Sequence, residues 1–220
     1  EGLHRRARVG ARRGAGALLD QGAGVAAASF NTGAEAFAKV VAPKSDDPKT
    51  PPAKLEGKAR TVQLDKAQKA FSTTQSTYGT SPIATLAALG EAGAQLELGK
   101  TDAALKLYGQ VTSAGGAEVF VKALAIQGQA VAYERKGDAK AALKAWQALE
   151  GVDKAAFGLL AGMQQGRLLE SSGDSAGALA LYTKLKASHT KDLNKFSYRE
   201  TKSQIDRRLA RLGSAKTSKK

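Results

Sequence analysis

Cysteine is absent from the 220 residues, which excludes disulfide staples, cysteine-ligated zinc, iron–sulfur clusters and thiol nucleophiles together. Histidine is nearly absent: His4 and His189 are the only two, so a site built on a histidine pair would need both. Aromatic residues make up 5% of the chain, too few for a β-sandwich, which packs through branched and aromatic side chains. No stretch approaches the roughly 18 consecutive apolar residues that a membrane-spanning helix needs. The best candidate, Gly14 to Phe30, is broken by Asp20 and Gln21. There is no initiator Met before Glu1, so a cleaved segment or an anchor helix upstream is part of the expectation.

Positive charge is plentiful. Lys and Arg number 34 against 20 Asp and Glu, a net charge of +14. The surplus is +4 over residues 1–59, +4 over 60–198 and +6 over 199–220, so both ends are basic for their length. Arg5, Arg6, Arg8, Arg12 and Arg13 crowd the first end and are candidate anion contacts. Four of the five prolines fall between Pro43 and Pro52, which predicts an extended linker over 43–58. Before it, Leu18, Leu19, Val25, Phe30, Phe37, Val40 and Val41 could line one helical stripe. Gly14, Gly16, Gly22, Gly24 and Gly33 each weaken that helix by about 1 kcal/mol relative to Ala. A basic helical arm over 1–42, needing a partner surface, is therefore expected.

The rest of the chain repeats. Leu98-Gly-Lys-Thr-Asp-Ala-Ala-Leu-Lys-Leu-Tyr108 aligns with Lys136-Gly-Asp-Ala-Lys-Ala-Ala-Leu-Lys-Ala-Trp146 and with Ser172-Gly-Asp-Ser-Ala-Gly-Ala-Leu-Ala-Leu-Tyr182. Gly99, Gly137 and Gly173 are spaced 38 and then 36 residues, and Ala104, Ala142 and Ala178 keep the same intervals, as do Tyr108, Trp146 and Tyr182. Periods of this size mark stacked helix pairs. Each Gly can end a first helix at positive φ, and Thr101, Asp138 and Asp174 or Ser175 can cap the second. The Ala permits close approach of two helices, and the aromatic one turn later fills the space between repeats.

In these residues the chain resembles the tetratricopeptide-repeat family, whose repeat is a pair of antiparallel helices. Ala92, Ala130 and Gly166 match its small residue in the first helix; Tyr133 matches the following tyrosine, replaced elsewhere by Gln95 and Leu169. Pro82 matches the proline that ends a repeat, while Ala88, Ile126 and Gly162 stand where the family has a large residue. The long period predicts extended loops after the second helices, Ser113 to Ala117 among them. The resemblance implies an all-α fold: a right-handed superhelix of about three helix pairs over 59–212, closed by a capping helix from Leu193 to Leu212. In that cap Leu193, Ile205, Leu209 and Leu212 face inward, and Arg199, Lys202, Arg207, Arg208 and Arg211 face water. A basic, disordered tail is expected over 213–220. In layout the chain is similar to the ancillary subunit of the bacterial Sec translocon and its relatives, which implies the periplasmic face of the inner membrane, with a cytoplasmic location as the alternative.

Local motifs add no catalyst. Gly99-Lys100-Thr101 looks like the tail of a phosphate loop, but Ala94 replaces that loop's first Gly and residues 83–98 form a helical pattern. Gly14-Ala-Gly16 and Gly22-Ala-Gly24 lack the third Gly of a dinucleotide fingerprint. The letters Gly-x-Ser-x-Gly occur once, at Gly173-Asp174-Ser175-Ala176-Gly177, but inside the helix-pair turn and not after a strand, and neither histidine has a His or carboxylate four residues away. The chain is therefore read as no enzyme, without cofactor or metal. The resemblance implies function in a concave groove lined by the first helices. Its candidates are Leu86, Leu89, Gly93 and Leu96; Gln127, Val131, Glu134 and Arg135; and Leu160, Met163, Arg167 and Glu170. An apolar end grading into a polar one suits a peptide or amphipathic helix of a partner protein, linked to secretion or assembly machinery. A polyanion-binding protein using both basic ends, on nucleic acid or anionic lipid, is the alternative. A third possibility, an enzyme completed by a partner, requires a deep polar pocket holding His189.

Overall fold

The computed structural model describes residues 24–25, 27–41 and 55–217, with side chains through Ser214. Of these residues 87% are helical and none lies in a strand. The chain divides into two compact units, Glu1–Val121 and Lys122–Lys220.

The first unit holds α1 (27–41), α2 (Gly57–Tyr78), α3 (Pro82–Glu97) and α4 (Thr101–Ser113). Pro82 opens α3, with the Ser81 side chain accepting from the Ala84 N–H, since a missing amide costs nothing at a first helical position. Phe71 of α2 is the hub of the core. A β-carbon on Gly90 of α3 would stand 2.6 Å from its ring, and one on Gly33 of α1 would stand 2.8 Å from it. Phe30 of α1 meets the same ring at 5.7 Å between centroids. The arm glycine that weakens α1 by propensity is thus a seat for an aromatic ring. Phe30, Phe37 and Val40 pack on this core, whereas Val25 and Val41, expected in the same stripe, are exposed. Leu18 and Leu19 lie outside the described residues.

Helix α5 (Val119–Arg135) begins as the first unit ends. The second unit continues with α6 (Ala139–Val152), α7 (Lys154–Ser171), α8 (Ser175–Ser188), α9 (Thr190–Leu193), a 3-10 turn (Phe196–Tyr198) and α10 (Arg199–Thr217). The predicted turns recur as one geometry. Gly99, Gly137 and Gly173 have φ of 78°, 77° and 86°. In each turn the glycine N–H reaches back three residues, and the next N–H reaches back five, to Gln95, Tyr133 and Leu169 carbonyls at 2.9–3.0 Å. This double bond pattern satisfies the last carbonyls of a helix only when the residue between them adopts positive φ. Asp138 and Asp174 cap α6 and α8 through the amides of Ala141 and Gly177. Thr101 does not cap α4, because it is already the first helical residue and its hydroxyl bonds the Gly99 carbonyl.

Residues 114–118 form the expected longer loop, but only Asp153 separates α6 from α7, so the loops are unequal. Ala104, Ala142 and Ala178 are fully buried, as repeat spacing required; Tyr108, Trp146 and Tyr182 are buried with them. Helix α7 carries glycines at 158, 162 and 166, one per turn, aligned with the antiparallel α8. A β-carbon on Gly162 would stand 2.5 Å from Leu185 Cδ2 and one on Gly166 2.5 Å from Tyr182 Cε1, while Gly158 lies under the His189 ring. At Gly162, Leu185 fills from the opposite helix the volume that a larger side chain would occupy.

The closing helix differs from expectation at both its start and its polar face. It is interrupted after α9, and α10 begins only at Arg199 and runs on to Thr217, so residues 213–217 of the expected disordered tail are helical. Leu193, Ile205 and Leu212 are buried and Leu209 packs beside them, as predicted. Arg211 is exposed, as predicted, while Arg208 is half-buried, and both bond Glu170 of α7.

Candidate functional site

In the second unit a cleft of about 470 Å³ opens between α7 and the segment from His189 through α10. Its α7 wall comprises Ala155, Ala156, Leu159, Leu160, Met163, Gln164 and Arg167. The apolar members recur every three or four residues, so one helical stripe supplies them. The opposite wall comprises His189, Asp192, Tyr198, Thr201, Gln204 and Arg208. From Ala155 to Arg167 the α7 wall runs about 18 Å at the helical rise per residue.

Two carboxylates organise the polar end. Glu134 accepts from Trp146 Nε1 at 2.8 Å and from Arg167 Nη2. Glu170 accepts from the Tyr182 hydroxyl at 2.8 Å and from both Arg208 and Arg211. Arg208 also lies over the Tyr182 ring, 5.6 Å from its centroid. Both glutamates stand three residues before a turn glycine and twelve before the aromatic that they hold. Leu96 occupies that place in the first repeat. A second tie, Lys186 to Asp206 at 2.6 Å, fastens α8 to α10. At the other end, His189 Nδ1 is 3.8 Å from Asp192, whose main partner is Lys195 at 2.7 Å. The Lys195 hydrogen bond holds the Asp192 carboxyl below the usual carboxylate range.

Burial raises the Tyr182 hydroxyl above its ordinary value of 10.0, against the opposing pull of Arg208. A raised folded-state value contributes stability that is complete below about pH 10 and is lost as pH climbs toward that value. Urea midpoints of the protein should therefore fall more steeply above about pH 10 than those of Tyr182→Phe. Parallel curves would show that this hydroxyl does not sense folding.

Of the groove candidates, Leu160, Met163 and Arg167 line the cleft. Glu134 and Glu170 stand behind it as anchors of its arginines, a role that groove phase alone does not reveal. Val131 packs against the α5–α7 core, Gln127 is half-buried and Arg135 is exposed. In the first unit Leu86 is exposed, Leu89 half-buried and Leu96 buried, and Gly93 lies under the Phe37 ring of α1. Arg5, Arg6, Arg8, Arg12 and Arg13, with His4, lie outside the described residues. Repeat phase does not point to His189, Asp192, Tyr198, Thr201 and Gln204 as site residues, because an unbroken cap leaves no second wall. His189 does line a pocket, as a partner-completed enzyme requires, but the floor beside it is apolar. Among the described residues no group of three or more His, Asp and Glu could hold a metal ion, and His189 makes no hydrogen bond to a hydroxyl.

Comparison of the sequence with family models and with curated proteins returns no match.

Proposed function

We propose that the protein is a non-enzymatic interaction scaffold that holds a peptide or helix of a partner protein in the α7–α10 cleft. The observation that carries this reading is the cleft's lining: an apolar helical stripe ending in Leu160 and Met163, rimmed by side chains that can bond a backbone. Apolar anchors in a shallow trough with polar edges are how helical modules hold extended or helical segments. The three matched turns support a tetratricopeptide-like stack, and the right-handed superhelix belongs to this proposal. So does a place in the bacterial cell envelope beside secretion or assembly machinery, which rests on the order of arm, linker and repeats.

A random dodecamer library displayed on phage tests the cleft. Enriched peptides should bind the parent protein and Lys184→Glu alike, since Lys184 lines no part of the cleft. Ala156→Arg, which fills the trough from an exposed position, should weaken them by at least about tenfold. Peptides that bind Ala156→Arg as well as the parent would remove the cleft as the site.

A further inference from the structure

The most exposed large apolar side chain among the described residues is Phe196, at 88%. It stands on the 3-10 turn between α9 and α10, held on both sides by helix, so its exposure is a fixed feature of the fold. Lysine and arginine surround it in sequence: Lys191, Lys195, Arg199 and Lys202. Two carboxylates share this segment, and both are engaged, Asp192 with Lys195 at 2.7 Å and Glu200 with Arg207 at 2.9 Å. Among the described residues Lys202 bonds only the neutral Asn194 side chain, at 2.9 Å. Lys191 and Arg199 are exposed and have no carboxylate partner among the described residues.

We infer that this turn is a contact for an anionic lipid surface, with Phe196 entering the headgroup boundary and the surrounding cations meeting lipid phosphates. An aromatic ring at a tip gains by leaving water at such a boundary, and flanking cations reach back to the headgroups along their apolar stems. Neither feature binds firmly alone; together they give two independent contributions. Single-stranded nucleic acid fits less well, because successive bases need successive rings. Here Phe196 alone stands almost wholly out, while Tyr198, 38% exposed, faces the cleft that it lines.

The full chain is mixed with phosphatidylcholine vesicles prepared with and without phosphatidylglycerol. Trp146 is buried, so a tryptophan introduced as Phe196→Trp reports the turn's surroundings against a constant background. Its emission should move to the blue on the anionic vesicles and stay unchanged on the neutral ones. In co-sedimentation Phe196→Ser should lower partition about tenfold, and Lys191→Gln or Arg199→Gln about fivefold. Far-UV circular dichroism of each variant should match the parent, all three positions being at the surface. Vesicle binding with unmoved tryptophan emission would mean that the chain's other cations carry the contact, which overturns the inference. So would equal partition of Phe196→Ser, or an emission change produced by a single-stranded oligonucleotide and not by vesicles.

Discussion

Trp146→Ala should cost about 3–5 kcal/mol of stability. Trp146 is 2% exposed and sits in a cluster with Leu149, Leu168 and five alanines, among them Ala130, Ala142 and Ala161, small side chains that cannot swell into the space an indole leaves. A cavity walled by alanines collapses poorly, because helix backbones would have to move to close it. The polar edge adds to the loss. The indole donates to Glu134, which also holds Arg167 at the cleft. Trp146→Phe separates the two contributions: it keeps most of the ring, removes the donor and should cost about 1–2 kcal/mol. Chemical denaturation followed by circular dichroism measures both. Equal costs for the two variants would show that the hydrogen bond, and not the volume, holds this core together.

Gly166→Ala should destabilise the protein by about 2 kcal/mol, although alanine in the middle of an exposed helix ordinarily gains about 1 kcal/mol over glycine. The sign reverses because the added carbon would stand 2.5 Å from Tyr182 Cε1 and 2.8 Å from its hydroxyl oxygen. The ring has nowhere to go. It is fully buried, and its hydroxyl is fixed to Glu170. Gly151→Ala is the matched control, an exposed position in α6 where a new β-carbon meets nothing within 4 Å. It should be neutral or stabilising by up to about 1 kcal/mol. Thermal melts that rank Gly166→Ala at or above the parent would refute the close approach of α7 and α8.

The turns were the most legible part of the molecule. A glycine at positive φ followed by an aspartate is a local instruction, written within four residues, and the chain repeats it at Gly137-Asp138 and Gly173-Asp174. The buried alanines and aromatics followed from the same spacing. What escaped the sequence was non-local. Gly33 reads only as lost helix propensity and Gly162 only as a missing large residue, since the ring or leucine that fills each space comes from another helix. The break between α9 and α10 does show in the phase: Leu193 stands 12 residues before Ile205, which in one continuous helix would put it about 120° off the stripe of Ile205, Leu209 and Leu212. Without that break the cleft has one wall. The arginines of α10 illustrate the same limit: periodicity says which side of a helix they occupy, but not that Glu170 waits across from Arg208 and Arg211. Aligning the repeats on Glu134 and Glu170 would have exposed the shared carboxylate, since both keep one distance from their aromatics.

Asp153 alone joins α6 to α7, and its carboxylate grips the amides of Ala155 and Ala156 at 2.9 and 3.0 Å. A joint of one residue has no slack. Whatever pulls or tilts α6 is delivered to the first turn of α7, where those two alanines begin the cleft floor. The trough's width is therefore governed from a corner that no occupant touches, and an insertion there would disturb it more than the same insertion anywhere in 114–118.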